Sequence, residues 1–478
     1  MHVSNTHPHD AQRNTRHDGF YDVAIIGAGV VGCATARRFA LAGARVVLIE
    51  KGTDILSGAS KANSAILHTG FDAPPDSLEL ELVRAGREEY LSIHKELGLS
   101  LVHTGALVCA WNAEEHESLH GIERQAHANG VQAVRPLSAS QAQTLVPALS
   151  NRLVAALEVE GEHVIDPWSA PLAYVTQAIA LGATVLRATE LLHGTFDGTW
   201  TLQTSTGTLH AGAVINCAGL YGDRVDRCLE LPERFEIRPR KGQFVVLDKA
   251  AFSHVPRIIL PVPTAITKGI VICPTAFGNV LIGPTAEEQQ DRTRASLETS
   301  TLEALLHRGA ELLTVLRNMP VSATYAGLRP ATEQKAYRVY NSPGHRAITL
   351  GGIRSTGLSA ALGLAAHALR LYEQFGTALT PPATIPAVRV PNLTETEERD
   401  WQRPEHGEVI CHCERVTRRE IEAALASPLP PGDPGGFKRR TRAGMGRCQG
   451  FYCGARVAEM TQGCFTEACA SRPQGETA

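Results

Sequence analysis

The chain has 478 residues, 43% of them hydrophobic, which is enough for two or three domains with sizeable cores. A formal net charge of -3 without a long run of either sign excludes a nucleic-acid footprint. No stretch approaches the roughly 18 consecutive apolar residues of a membrane span, and the polar, His-rich start from Met1 to Phe20 lacks the apolar segment of a secretory signal, so a reducing cytoplasm is expected.

Tyr21 to Ile26 reads as a strand, Gly27-Ala-Gly29-Val30-Val-Gly32 as a glycine turn, the residues through Leu41 as a helix, and Arg45 to Ile49 as a second strand closed by Glu50. In that context Gly27 permits the tight turn, Gly29 lets backbone approach a pyrophosphate and Gly32 lets helix and strand pack closely. The helix N-terminus stabilises phosphate charge and Glu50 can accept from a ribose diol. The motif alone leaves FAD and NAD open. A hairpin-like stretch from Thr184 to Leu209 precedes a buried strand, Ala213 to Ala218. Short strands at Gly242 to Leu247, Gly269 to Cys273 and Val280 to Ile282, separated by Pro and Gly, suggest a mixed or antiparallel sheet in a second domain. A helix is expected from Leu297 to Leu316 and another, rich in small residues, from Leu358 to Phe375. Pro, Thr and Glu then mark 376–400 as a linker.

Of 11 cysteines, six lie beyond residue 410. Cys411-x-Cys413 and Cys448-x4-Cys453 form a four-thiolate set, suited to zinc or to an iron-sulfur cluster, although zinc pairs favour C-x2-C. Cys464 and Cys469 fall outside the pattern and read as ordinary tail cysteines.

Ser60-Lys-Ala-Asn63-Ser64-Ala-Ile-Leu-His68-Thr-Gly70, Asn216-Cys-Ala-Gly219, Ala326-Gly-Leu-Arg329-Pro330 and Gly351-Gly352-Ile-Arg354-Ser-Thr-Gly357-Leu358 resemble the D-amino-acid-oxidase-like FAD-dependent oxidoreductases, above all the glycerol-3-phosphate dehydrogenase and L-2-hydroxyglutarate oxidase branches. The Cys-His-Cys-Glu words and Arg442 to Cys453 resemble the bacterioferritin-associated-ferredoxin-like domain, which holds a 2Fe-2S cluster. The resemblance implies an α/β (α+β) fold. A Rossmann-type FAD-binding domain (about 20–95, 150–235 and 325–375) would interleave with a mixed-sheet substrate domain (about 95–150 and 236–325), both within 20–375. An iron-sulfur domain would occupy 401–478, with its core at 406–460.

It further implies FAD contacts from Gly27, Gly29, Val30, Gly32, Glu50, Ser60, Asn63, Ser64, Gly219, Gly352, Arg354, Gly357 and Leu358, with Leu191 near the adenine. His68 would be the base for a substrate hydroxyl and Arg329 the cation for an anionic tail. The expected activity is oxidation of glycerol 3-phosphate first, a 2-hydroxy acid such as L-2-hydroxyglutarate second. Alternatives are an amine or imino-acid dehydrogenase and a non-catalytic electron-transfer component of a larger complex. A cluster beside a flavin implies electrons passed to a partner protein or quinone rather than to oxygen, with room for peripheral association at the inner face of a membrane.

Overall fold

The computed structural model describes residues 19–263 and 269–465. Residues 1–18, Cys469 and the rest of 466–478 lie outside the described residues. An eight-stranded sheet has its parallel centre in Phe20–Ile26, which pairs with Val46–Ile49 on one side and Gly207–Asn216 on the other. Ala24 and Ile25 are wholly buried, as expected of a strand covered on both faces. Thr184–Leu186, read from the sequence as part of a hairpin, instead extends this sheet in parallel beside Val46–Ile49. The hairpin itself is built from Leu191–Phe196, Trp200–Thr204 and Gly207–Asn216.

Four helices, Val30–Leu41, Leu78–Leu97, Ser169–Ala180 and Gly357–Tyr372, pack together beside that sheet. The small residues of the last helix have a steric cause. A Cβ on Gly363 would lie 2.2 Å from the carbonyl oxygen of Leu82, and one on Gly86 2.1 Å from that of Ser359. The helices therefore approach backbone to backbone, a distance only glycine permits. The helix expected to reach Leu316 ends at Leu312 and continues as a tighter turn, Thr314–Asn318.

The second sheet has nine strands. It is mixed: Ala106–Ala110 runs parallel to Ile258–Pro261, while Arg240–Leu247 lies antiparallel to Val280–Gly283 and Val321–Arg329. Chain crossings between the two sheets bring residues 60–68, 240 and 326–329 to their common boundary, where a cavity opens. Among the described residues no helix is long and apolar enough to cross a membrane.

Residues 376–399 carry no helix or strand, but they are fastened: the Val390 N–H donates to Leu97 O at 3.0 Å and the Glu395 N–H to Ala276 O at 3.1 Å. Beyond them a small unit contains the strands Val409–Cys411 and Val416–Thr417 and the helices Arg418–Leu425, Pro434–Thr441 and Gly454–Met460. Thr417 and Glu420 form a capping box that starts its first helix. The unit is anchored on the loop that follows Glu50. Arg440 grips both oxygens of the fully buried Asp54, at 2.5 and 2.7 Å, and Arg187 and the Gly432 N–H add further donors to the same carboxylate. The Thr53 hydroxyl meets Asp433 at 2.7 Å, and Arg439 donates to Ile55 O at 3.1 Å. Gly432 is required here, because a Cβ would sit 1.8 Å from Thr53 O.

Removing one member of a buried ion pair strands the other, at a cost of about 3–5 kcal/mol. Asp54→Ala is accordingly expected to lower unfolding stability by about that amount in chemical denaturation, and to expose residues 376–400 to protease. Unchanged proteolysis together with unchanged stability would show that Arg440 does not hold the unit in place.

Candidate active site and cysteine centre

The cavity between the sheets has a volume of about 960 Å³, within the range of a large ligand site. The expected residues Gly27, Gly29, Val30, Glu50, Ser60, Asn63, Ser64, His68, Leu191, Gly219, Arg329, Arg354, Gly357 and Leu358 all line it. Gly32 and Gly352 do not. Gly32 faces back onto the glycine turn, where a Cβ would lie 1.8 Å from Gly27 O, so its contribution is packing. Gly352 turns the backbone at φ +66 against Arg338.

At one end Gly27 adopts φ +100, and a Cβ there would meet Cys217 O at 2.8 Å. The Glu50 carboxylate accepts from the N–H groups of Ala28 and Gly52, both at 2.7 Å, and so ties the glycine turn to the end of the second strand. The Val30 N–H donates to the Ser60 hydroxyl at 3.0 Å. Asn63 serves its own turn: it donates to Ser60 O and accepts from the Ala65 N–H. A glycine turn opening a helix, an acidic residue at the next strand end and a long cavity running away from both fit a dinucleotide.

Farther along, His68 Nδ1 lies 2.8 Å from Glu162 Oε2, and the His68 backbone N–H donates to the Ser359 hydroxyl at 2.9 Å. Burial pushes the Glu162 carboxyl up. The His68 charge and hydrogen bond and the Thr69 donors outweigh that and hold it below the usual range. On the wall formed by the second sheet, Arg329 donates to Thr285 O at 3.1 Å and to Lys241 O at 3.5 Å. Burial, with repulsion from Arg240 and Arg354, lowers its pKa to about 10. Among the described residues no carboxylate pairs with Arg329 or Arg354, whereas Arg240 reaches Glu288 and Lys241 is held by Glu287 and Glu298. Glu162 and Arg240 are not singled out by the sequence as site residues. Glu162 carries no motif of its own, and Arg240 reads as part of a domain crossing until the second sheet brings it to the cavity.

In the C-terminal unit, Cys411 and Cys453 are buried with Ile410, Val416, Ile421 and Phe437. The four thiols gather in one place: Cys413 feels both Cys448 and Cys411, and Cys453 feels both Cys411 and Cys448. The backbone N–H of Tyr452 leads the groups that pull the Cys448 thiol down, with Cys413, Gly450 and Phe451 adding to it. Burial pushes the Cys453 thiol up to about 11. Gly446 packs against Cys413, where a Cβ would lie 2.3 Å from the cysteine's own. Of the basic run Lys438 to Arg442, Arg440 holds Asp54 and Arg439 reaches Ile55 O across the domain contact, while Arg442 holds Glu414 of its own unit and covers the Phe277 ring at 3.9 Å. Among the described residues no group of His, Cys, Asp or Glu is arranged to hold a single metal ion. Four thiols in one place are the donor set that would hold a 2Fe-2S cluster, which would supply one-electron transfer.

Comparison with known proteins gives a family for each of the two parts of the chain. Residues 22–371 match the family described as FAD dependent oxidoreductase, and residues 409–462 match the BFD-like [2Fe-2S] binding domain. The chain is 31% identical over 449 residues to the glycerol 3-phosphate dehydrogenase of Caloramator mitchellensis, covering 92% of this chain and 93% of that one. It is 24% identical over 502 residues to one of the subunits of the anaerobic glycerol-3-phosphate dehydrogenase of Escherichia coli K12, covering 94% and 89%. Among solved structures it is similar to the dithionite-reduced L-alpha-glycerophosphate oxidase of Mycoplasma pneumoniae with FAD bound, at 27% identity and a TM-score of 0.72, covering 78% of this chain and all of that one. The chain belongs to the FAD-dependent oxidoreductase family and joins its FAD site to a C-terminal 2Fe-2S domain.

Proposed function

We propose that this chain is a dehydrogenase of a small anionic hydroxy compound, glycerol 3-phosphate first, and that its electrons leave through the 2Fe-2S domain to a partner protein or a quinone. The observation that carries the reading is the Arg329 wall. A deeply buried guanidinium donates only to carbonyls and stands beside two further guanidiniums, an arrangement that wants an anion between them. Relatives named for glycerol 3-phosphate support the choice of anion. A 2-hydroxy acid is second, supported by an L-2-hydroxyglutarate dehydrogenase of Indibacter alkaliphilus that is 26% identical over 248 residues.

Bound FAD supplies the two-electron acceptor, and the cluster supplies one-electron transfer. The protein's own part is to place and deprotonate. Arg329, Arg354 and Arg240 hold the phosphate end, which leaves the carbinol to lie towards His68. The Glu162 contact at Nδ1 sets the imidazole tautomer whose Nε2 carries the lone pair, so the substrate hydroxyl can give its proton there. An amine substrate needs no such base, which favours an alcohol.

Anaerobic addition of glycerol 3-phosphate to purified protein is expected to bleach the flavin absorbance, whereas glycine leaves it unchanged. Bleaching by amino acids alone would overturn the substrate class, and no bleaching by any candidate would make the chain an electron relay for another protein's active site. His68→Ala is expected to lower turnover at least about 100-fold with FAD retained; near-normal turnover removes His68 from the mechanism. Cys448→Ser should abolish the cluster's visible absorbance and bound sulfide while substrate still bleaches the flavin. Full retention of iron and sulfide in that variant would exclude Cys448 as a ligand.

A further inference from the structure

Behind His68 stands a carboxylate that anion binding does not call for. Glu162 is fully buried, and both of its oxygens are engaged: Oε2 with His68 Nδ1 at 2.8 Å, Oε1 with the backbone N–H and the hydroxyl of Thr69 at 2.7 and 2.8 Å. The two residues, 94 apart in the chain, meet because Ile66–Leu67 pairs antiparallel with His163–Val164, which sets residue 68 opposite residue 162. The placement therefore belongs to the backbone register and not to a flexible side chain. A carboxylate at this depth is costly unless it is paired and hydrogen-bonded, so its retention asks for a reason.

Its other titratable neighbours come from several elements. Arg87, on the helix Leu78–Leu97, donates to Gly161 O at 2.8 Å and adds positive charge near Glu162. His163 is held neutral, its pKa lowered to about 4 by burial, Arg87 and His103, whose ring stands 4.6 Å from its own. Cys273, on the substrate sheet, stays a thiol because burial pushes it up. Glu162 is thus the acidic group in direct contact with the His68 ring among these neighbours.

We infer that Glu162 is a positioning residue for His68: it holds Nδ1–H in a fixed hydrogen bond, aims the ring, and stabilises the imidazolium formed when the substrate hydroxyl proton arrives at Nε2. The step balances as one proton moving from hydroxyl oxygen to Nε2 and one hydride leaving the carbinol carbon for bound FAD. The inference rests on His68 being the base proposed above.

The test is the pH dependence of kcat and kcat/KM for glycerol 3-phosphate with an artificial electron acceptor, measured on FAD-loaded full-length wild type, Glu162→Gln and His68→Ala. In E162Q, kcat is expected to fall on the order of 100-fold or more while KM changes little. The acidic limb of the profile should move to lower pH, because a neutral amide no longer favours the imidazolium. A residue serving only the fold would change FAD retention or thermal stability and leave that limb in place. E162Q with wild-type kcat and an unmoved limb, beside an inactive H68A, overturns the inference and spares the proposed function. An active H68A instead removes the base itself. If E162Q does not retain FAD, Glu162→Asp carries the test: the shortened carboxylate is expected to lower kcat at least about tenfold with KM nearly unchanged, and wild-type kcat in E162D overturns the inference.

Discussion

The buried contact between Asp54 and Arg440 is the constraint on which the two-centre arrangement depends. Asp54 lies on the loop that leaves the dinucleotide motif, a few residues after Glu50 and a few before Ser60. Arg440 lies on the helix that precedes the loop carrying Cys448 and Cys453. One carboxylate therefore fixes the cysteine unit against the segment that lines the cavity, and the contacts of Thr53, Ile55 and Arg187 repeat the attachment around it. Buried, well-hydrogen-bonded ion pairs contribute little net stability compared with apolar packing, but they are selective about geometry. Here that geometry fixes where the cysteine unit stands relative to the cavity. A second set of contacts, Gln449 to Ser322 O at 2.8 Å and Arg447 to Asp248 at 2.8 Å, seats the cysteine loop itself on the second sheet. The 2Fe-2S domain is docked at two places and is not held by its tether alone.

Within the cavity the charges are arranged by sheet. The first sheet and its loops bring backbone donors, Glu50 and the glycine turn, which suit phosphates and a ribose. The second sheet brings Arg240 and Arg329, neighbours across an antiparallel pair, and so presents positive charge to the part of the cavity away from the glycine turn. His68 stands between these regions, just after a short strand that belongs to neither large sheet. The two kinds of contact thus come from different parts of the chain.

What the sequence made legible was local. Tyr21 to Glu50 is a single βαβ unit in which every informative residue lies within a few turns of the next, and the cysteine spacing carries its own meaning. The family words around His68, Arg329 and Gly357 added the cavity wall. What stayed hidden depended on distant pairing. Glu162 is an acid without a motif between Gly161 and His163, and only strand register sets it beside His68. Asp54 and Arg440 are 386 residues apart, and an arginine in a basic run reads as solvated or as a countercharge until its partner is seen. The alternation of Thr184–Leu186 suits a hairpin as well as a parallel edge, and tertiary pairing makes the choice for the edge. Gly32 and Gly352 are legible as necessary glycines, yet their need is steric, so they support the cavity without lining it.

Passage of substrate electrons from the FAD site to the docked cluster is tested most directly by low-temperature electron paramagnetic resonance on anaerobic protein frozen at intervals after addition of glycerol 3-phosphate. Flavin bleaching is expected to be followed, within a turnover, by the signal of a reduced 2Fe-2S cluster, and the signal should be slower or smaller in Asp54→Ala. Full flavin bleaching with a cluster that stays oxidised over many turnovers, while oxygen restores the flavin at the turnover rate, would contradict that route.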